Sequence, residues 1–124
     1  MYLSATATLR STRGWVVADV PYGLADYYRS LIPPTVRYSI PRYDPHITVI
    51  RDYPTTLPVI EPRTIRFRYA PEVVIGEDYI WLDVWCEDLE ALRVSLGFDN
   101  ICWYTRPPSG FAPFHITLGN FKNV

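Results

Sequence analysis

The sequence predicts a single α+β domain over residues 1–124, in which two helices cover one side of a largely antiparallel sheet. Three observations support this prediction. The chain has 124 residues, the length of one domain, and its 48% hydrophobic content is enough to form a core. Alternation of apolar and polar residues with period two dominates the chain, which favours strands. Only two segments show helical spacing, too few for a doubly wound sheet.

Alternation and short apolar runs predict the strands. We expect them at residues 3–9, 15–20, 36–40, 46–51, 64–69, 79–85, 101–105 and 114–121. Within residues 79–85 the aliphatic side chains share one face, and Trp81 lies on the opposite face.

The two helices are predicted at residues 24–32 and 87–96. The first has apolar residues at helical spacing and is ended by two consecutive prolines at positions 33 and 34. The second begins with acidic residues, which suit a helix N-terminus, and Gly97 follows its last turn.

Charge and cysteine content exclude several classes of function. Twelve basic and thirteen acidic residues give a net charge of -1, whereas a protein that wraps long DNA or RNA needs a strong basic field. Cys86 and Cys102 have neither metal-ligand spacing nor the number needed for a disulfide framework, which favours a reducing cytoplasm. Residues 1–13 contain no apolar signal segment, and no run has the length of a membrane span. We therefore expect a cytoplasmic protein with no obligate protein partner.

Both histidines of the chain occur in the same short pattern. Residues 46–48 and 115–117 both read His-Ile-Thr, and an aliphatic residue follows each. With ten threonines in 124 residues, chance places a threonine two positions after both histidines about once in 150 sequences. Because alternate residues of a strand share a face, each histidine points the same way as its threonine.

Two imidazoles and two hydroxyls on one sheet face suit the cleavage of a phosphodiester. One imidazole takes a proton from the attacking oxygen, the other gives one to the leaving oxygen, and the hydroxyls hold the non-bridging oxygens. A single His-x-Thr is more often a structural pair, so the duplication is what favours catalysis. We predict catalytic roles for His46, Thr48, His115 and Thr117.

Two other site chemistries fit the sequence less well. A zinc site needs more ligands than two histidines, and no cysteine or acidic residue lies at ligand spacing from either. A serine nucleophile would be expected in a Gly-x-Ser-x-Gly turn, which is absent. The two cysteines occur in strand-like aromatic surroundings. We therefore expect no metal and no cofactor.

The paired motifs resemble those of the two-histidine (2H) phosphoesterase superfamily, defined by two His-x-Thr/Ser motifs on pseudo-symmetric lobes that face one cleft. The similarity of layout covers the whole chain, with the motif histidines 69 residues apart. Residues 2–6, 27–33 and 45–51 are similar to a narrower branch, the phage anti-CBASS nucleases, which degrade the cyclic oligonucleotide messengers of bacterial antiphage signalling. The resemblance implies two lobes of largely antiparallel sheet, with helices on the outer side and a central cleft.

The resemblance also implies metal-independent cleavage of the 3'–5' linkages of a cyclic di- or trinucleotide. One histidine deprotonates a ribose 2'-hydroxyl, which attacks the adjacent phosphate, and the other protonates the departing 5'-oxygen. The product carries a 2',3'-cyclic phosphate. By sequence, either histidine can act as the base. A phage-encoded enzyme of this kind would work in the host bacterial cytoplasm.

Two aromatic residues are predicted to bind the substrate. Trp81 could stack on a base, a contact worth about 1–3 kcal/mol, although packing beneath a helix explains it equally well. Tyr104 and the loop at residues 106–113 precede the second motif, where a loop could cover the site.

Two alternative functions remain open. A phosphodiesterase of RNA ends or of 2',3'-cyclic phosphates would use the same histidines on linear RNA, and the near-neutral charge argues mildly against it. A non-catalytic protein that sequesters a nucleotide would not need two imidazoles in matched positions.

Overall fold

The computed structural model describes residues 1–12, 14–51, 57–101 and 112–122. These ranges contain seven strands and two α-helices. The strands are β1 (Leu3–Thr12), β2 (Trp15–Asp19), β3 (His46–Ile50), β4 (Arg63–Tyr69), β5 (Val74–Ile75), β6 (Tyr79–Trp85) and β7 (Phe114–Asn120), and the helices are α1 (Tyr22–Arg29) and α2 (Glu87–Ser95).

The strands form one antiparallel sheet that closes into a barrel of six strands. The order is β4-β1-β2-β3-β7-β6, and pairing of β4 with β6 closes the ring. The two-residue β5 shares the remaining edge of β6 with β4. The prediction of an α+β class with an antiparallel sheet and two helices is confirmed.

Alternation along the strands produces the core. In β4 the buried residues are Ile65, Phe67 and Tyr69, and the residues between them are exposed. Equivalent apolar faces of the other long strands join them in one cluster, and both helices contribute side chains to it. Burial of each large apolar side chain contributes about 1.5–3 kcal/mol. The helices therefore pack on the apolar face, and the polar side chains lie on the opposite face.

The two helices differ in how well the sequence locates them. The first begins at Tyr22, directly after Pro21, and ends at Arg29, earlier than the proline pair suggests. The second agrees with the prediction to within one residue. It ends in a Schellman motif, in which Gly97 has a φ of 90° and the Phe98 N–H donates to the Arg93 carbonyl at 2.9 Å. No helix in the described ranges is long and apolar enough to cross a membrane.

Residues 36–40 do not form the strand that the sequence predicts. Only Ser39 pairs, through two backbone hydrogen bonds of 2.8 and 2.9 Å with Asn120 at the end of β7. Pro41 has no N–H to continue a ladder, so the pairing stays a single bridge. Conversely, β1 runs to Thr12, beyond the expected end. The strand predicted at 101–105 lies outside the described residues except for Ile101, which is in a bend.

Candidate active site

The two His-Ile-Thr segments lie side by side in adjacent strands. β3 pairs with β7 in antiparallel orientation, with Ile47 opposite Ile116. This register sets each motif histidine opposite the threonine of the other motif. Both isoleucines are fully buried on the apolar face, while the histidines and threonines lie half-buried on the opposite face. The structure therefore brings together the four residues that the sequence singles out.

Both motif strands contain a β-bulge at the same place. In the ladder between β2 and β3 the register shifts after Thr48, so Val49 is the extra residue. In the ladder between β6 and β7 it shifts after Thr117, so Leu118 is the extra residue. Each extra residue lies three positions after its motif histidine. Because a bulge bends the strand and changes the direction of nearby side chains, both motifs have the same local distortion.

A carboxylate lies next to each histidine on the same face. Asp19 of β2 pairs with His46, and Asp83 of β6 pairs with His115. Neither aspartate belongs to a motif that the sequence singles out. The sequence does contain a feature that could have identified them, because each is an isolated acidic residue among apolar residues in the strand that precedes a helix.

Each carboxylate is held by a donor that comes from its own half of the chain. Arg10 donates to the two carboxylate oxygens of Asp19, through Nε at 2.8 Å and Nη2 at 3.2 Å. The Trp81 Nε1–H donates to Oδ1 of Asp83 at 2.9 Å. These contacts fix the position of negative charge on both sides of the histidines.

The predicted stacking residue Trp81 is covered. It lies opposite Thr117 on the face that carries the histidines, but it is only 3% exposed. Gly76 lies so close that a Cβ there would come within 2.5 Å of the indole. The ring is therefore not an open platform for a base in this structure, and its role in substrate binding stays a prediction. Tyr104 lies outside the described residues, as does most of the loop at 106–113.

A backbone contact fixes the tautomer of His46. Its Nδ1 lies 2.7 Å from the carbonyl oxygen of Asp44. Because a carbonyl only accepts, Nδ1 carries the hydrogen, and the neutral ring has its lone pair on Nε2. The Tyr22 hydroxyl donates to the Asp44 carboxylate and ties this turn to α1. His46 can therefore accept a proton at Nε2.

His115 lies in a different environment, although its tripeptide is the same. Its Nδ1 is buried and has no hydrogen-bond partner among the described residues. Burial, and to a lesser extent the nearby His46, lowers the pKa of His115 to about 4. The free ring is therefore neutral at neutral pH. A bound phosphate anion would oppose the cost of burying the imidazolium and would raise this pKa.

Side-chain grouping and burial bear on a metal site and on a cysteine nucleophile. Within the described ranges, no three histidine, cysteine, aspartate or glutamate side chains are grouped as a metal site. Cys86 is buried, and burial raises the pKa of its thiol, which disfavours the nucleophilic thiolate.

Comparison of the chain with known protein families, with curated proteins and with solved structures finds no match. The function is therefore inferred from the four motif residues and the groups that surround them.

The buried imidazole makes stability depend on pH. Its pKa falls from an ordinary 6.5 to about 4 in the folded state, where His46 and Asp83 are its ionisable neighbours. Between these values the unfolded chain binds a proton on His115 that the folded chain does not bind. The free energy of unfolding therefore decreases as the pH falls through this window, by about 3 kcal/mol from this ring.

Guanidinium unfolding at neutral pH and near the lower pKa checks this. His115→Gln should lose less stability on acidification than the wild type, because it no longer contains the titrating ring. His46→Gln is the matched control, and its free energy of unfolding should fall on acidification by nearly as much as that of the wild type. Equal acid sensitivity of His115→Gln and the wild type would contradict the prediction.

Proposed function

We propose that the protein is a phosphodiesterase that cleaves the 3'–5' linkages of a cyclic oligonucleotide by attack of a ribose 2'-hydroxyl. The observation that carries the proposal is the antiparallel register of β3 and β7. With the two motif histidines on adjacent strands and on one face, a base and an acid can lie on opposite sides of one phosphate. That arrangement suits an in-line displacement.

The surroundings of the two histidines favour His46 as the base. Its Nε2 has the free lone pair, and the Asp44 carbonyl that accepts from Nδ1 would stabilise the imidazolium formed on proton transfer. The proton of the 2'-hydroxyl would go to Nε2 as the new bond to phosphorus forms.

His115 is then the acid. It gains a proton when the phosphate anion binds next to it, because the anion offsets the desolvation that lowers its pKa to about 4 in the free protein. It gives this proton to the departing 5'-oxygen as the bond from phosphorus breaks. The products are a free 5'-hydroxyl and a 2',3'-cyclic phosphate. His46 ends with the extra proton and His115 without one, so solvent exchange restores the starting state.

The threonines complete the site. Thr48 lies opposite His115, and Thr117 lies opposite His46, so each hydroxyl lies beside the imidazole of the other motif. Their O–H groups would donate to the non-bridging oxygens, where negative charge increases in the transition state.

The topology supports the finer architecture that we propose. Apart from the two-residue β5, which has no counterpart in the first half, the order β1–β2–α1–β3 matches β4–β6–α2–β7 in the second half, and the bulges occupy equal positions. We infer two pseudo-symmetric lobes with the helices on their outer side. The histidines would then face each other across a central cleft.

Two clusters of arginine and aromatic rings on the polar face support a nucleotide substrate. Arg51 lies 5.5 Å from the ring of Trp15, beyond Thr48 in the ladder between β2 and β3. Arg68 lies 5.9 Å from the ring of Tyr2, which contacts Trp85 edge-on at 4.8 Å, beyond Asp83 in β6. Arginine is suited to binding phosphate, and aromatic rings are suited to stacking on bases. A cyclic dinucleotide has two phosphates and two bases, which matches the two clusters.

Substitution of the four motif residues tests their roles. His46→Ala and His115→Ala should each lower kcat by about 10²-fold or more, since each removes a proton-transfer group. Thr48→Val and Thr117→Val should each cost about tenfold or more, because the hydroxyl donor is lost at nearly constant volume. Mass spectrometry of a cyclic dinucleotide incubated with each variant in EDTA buffer gives the rates.

The matched control is Thr64→Val, which changes an exposed threonine of β4, a strand that pairs with β1 and β6 and with neither motif strand. Its kcat should equal that of the wild type. If either histidine variant keeps most of the wild-type turnover while its near-ultraviolet circular dichroism is unchanged, the proposed roles are wrong.

A second prediction concerns the nucleophile. A cyclic dinucleotide that lacks both 2'-hydroxyls should bind but not be cleaved, and the early product of the ribose form should be a 2',3'-cyclic phosphate. Calorimetry measures the binding, and mass spectrometry detects the product. Cleavage of the deoxy form would mean that water attacks. Cleavage of a short linear RNA alone would favour an RNA phosphodiesterase, and binding without any cleavage would favour sequestration.

A further inference from the structure

The bulge in each motif strand affects the hydrogen bonding of one backbone carbonyl. The extra residue of a bulge is left out of the ladder, so its carbonyl needs another donor. Val49 and Leu118 are fully buried, so water does not reach these positions freely. A buried carbonyl without a donor is costly, and such groups are paired in nearly all folded proteins.

An arginine in the last turn of each helix donates to the carbonyl of the extra residue in one motif strand. Nε of Arg29 in α1 donates to the carbonyl of Leu118 at 2.8 Å. Nη1 of Arg93 in α2 donates to the carbonyl of Val49 at 2.8 Å. The two contacts cross between the halves of the chain. The helix of the first half holds the motif strand of the second, and the helix of the second half holds the motif strand of the first.

Other contacts keep both guanidinium groups in place. Arg93 is 5% exposed, and it also donates to the carbonyls of Asp99 at 2.8 Å and Ile101 at 3.2 Å. Arg29 pairs with Asp26 at 3.3 Å, and its side chain is 11% exposed. Both charges lie at helix C-termini, where the helix dipole favours a cation.

We propose that Arg29 and Arg93 are positioning residues that orient the His-Thr pair of the opposite half by holding the bulge that follows it. Arg29 acts on the second motif, because Leu118 directly follows Thr117. Arg93 acts on the first motif, because Val49 directly follows Thr48. The effect on rate rests on the proposed function, whereas the effect on the geometry of the motif strands does not. A misplacement of about 1 Å at a catalytic group can cost about 10²-fold in rate.

The two histidines of the chain allow a direct test, because an imidazole ¹H–¹⁵N spectrum reports each of them separately. Arg29→Met keeps much of the side-chain volume and removes the donor. It should shift the imidazole signals and the titration of His115 more than the imidazole signals of His46. The kcat for a cyclic dinucleotide should fall about tenfold or more with KM nearly constant. Arg29→Lys, which keeps a charged donor, should restore part of both effects.

The reciprocal variant and a control complete the experiment. Arg93→Lys loses part of the contact with three carbonyl groups but keeps the positive charge. It should shift the imidazole signals of His46 more than those of His115. The control is Arg63→Met, an exposed arginine at the start of β4, which should move neither titration and leave kcat unchanged.

The crossed pattern decides the outcome. Equal movement of both histidines in Arg29→Met would indicate general loosening and would overturn the proposal, as would no movement of either. Arg29→Lys and Arg93→Lys provide the same comparison if Arg29→Met does not fold. The spectra need no turnover, so a wild type that cleaves no nucleotide would refute the proposed function and still leave the crossed effect measurable. A crossed effect without loss of kcat in an active enzyme would show that the arginines do not position the catalytic groups.

Discussion

The antiparallel register of β3 against β7 is the constraint on which the rest of the site depends. It is set by hydrophobic burial, because Ile47 and Ile116 lie opposite each other and are fully buried. A slip of one residue in either strand would turn the histidine of that strand into the core and its isoleucine out of it. The apolar residue in the middle of each His-Ile-Thr therefore fixes where the two polar residues lie.

Within this symmetric frame the two imidazoles have different surroundings. His46 donates from Nδ1 to a backbone carbonyl, whereas Nδ1 of His115 is buried with no partner among the described residues. Burial also lowers the pKa of His115 to about 4. When two titratable groups of the same kind have different environments, their pKa values separate. This difference is the usual basis for assigning one group as the acid and the other as the base. The different surroundings of two identical tripeptides are therefore the basis of the different roles that we propose for them.

Local patterns in the sequence predict much of the fold. Alternation locates the strands and their buried faces, and the acidic start and Gly97 locate α2. The two motifs predict which four residues come together. The register between distant strands is not encoded locally, so the pairing of Asp19 and Asp83 with the histidines, the bulges, and the contacts of Arg29 and Arg93 become visible only in the structure. Burial of Trp81 depends on Gly76 in the same way.

The proposed roles of the two histidines can be separated with a cyclic dinucleotide in which sulfur replaces the bridging 5'-oxygen at the scissile phosphate. A thiolate leaves without being protonated, so this substrate needs the base but not the acid. If His46 is the base and His115 the acid, His115→Ala should cleave the sulfur substrate at nearly the wild-type rate, while His46→Ala should stay slow on both substrates. Rescue of His46→Ala in place of His115→Ala, or equal impairment of both variants on the sulfur substrate, would contradict the division of roles.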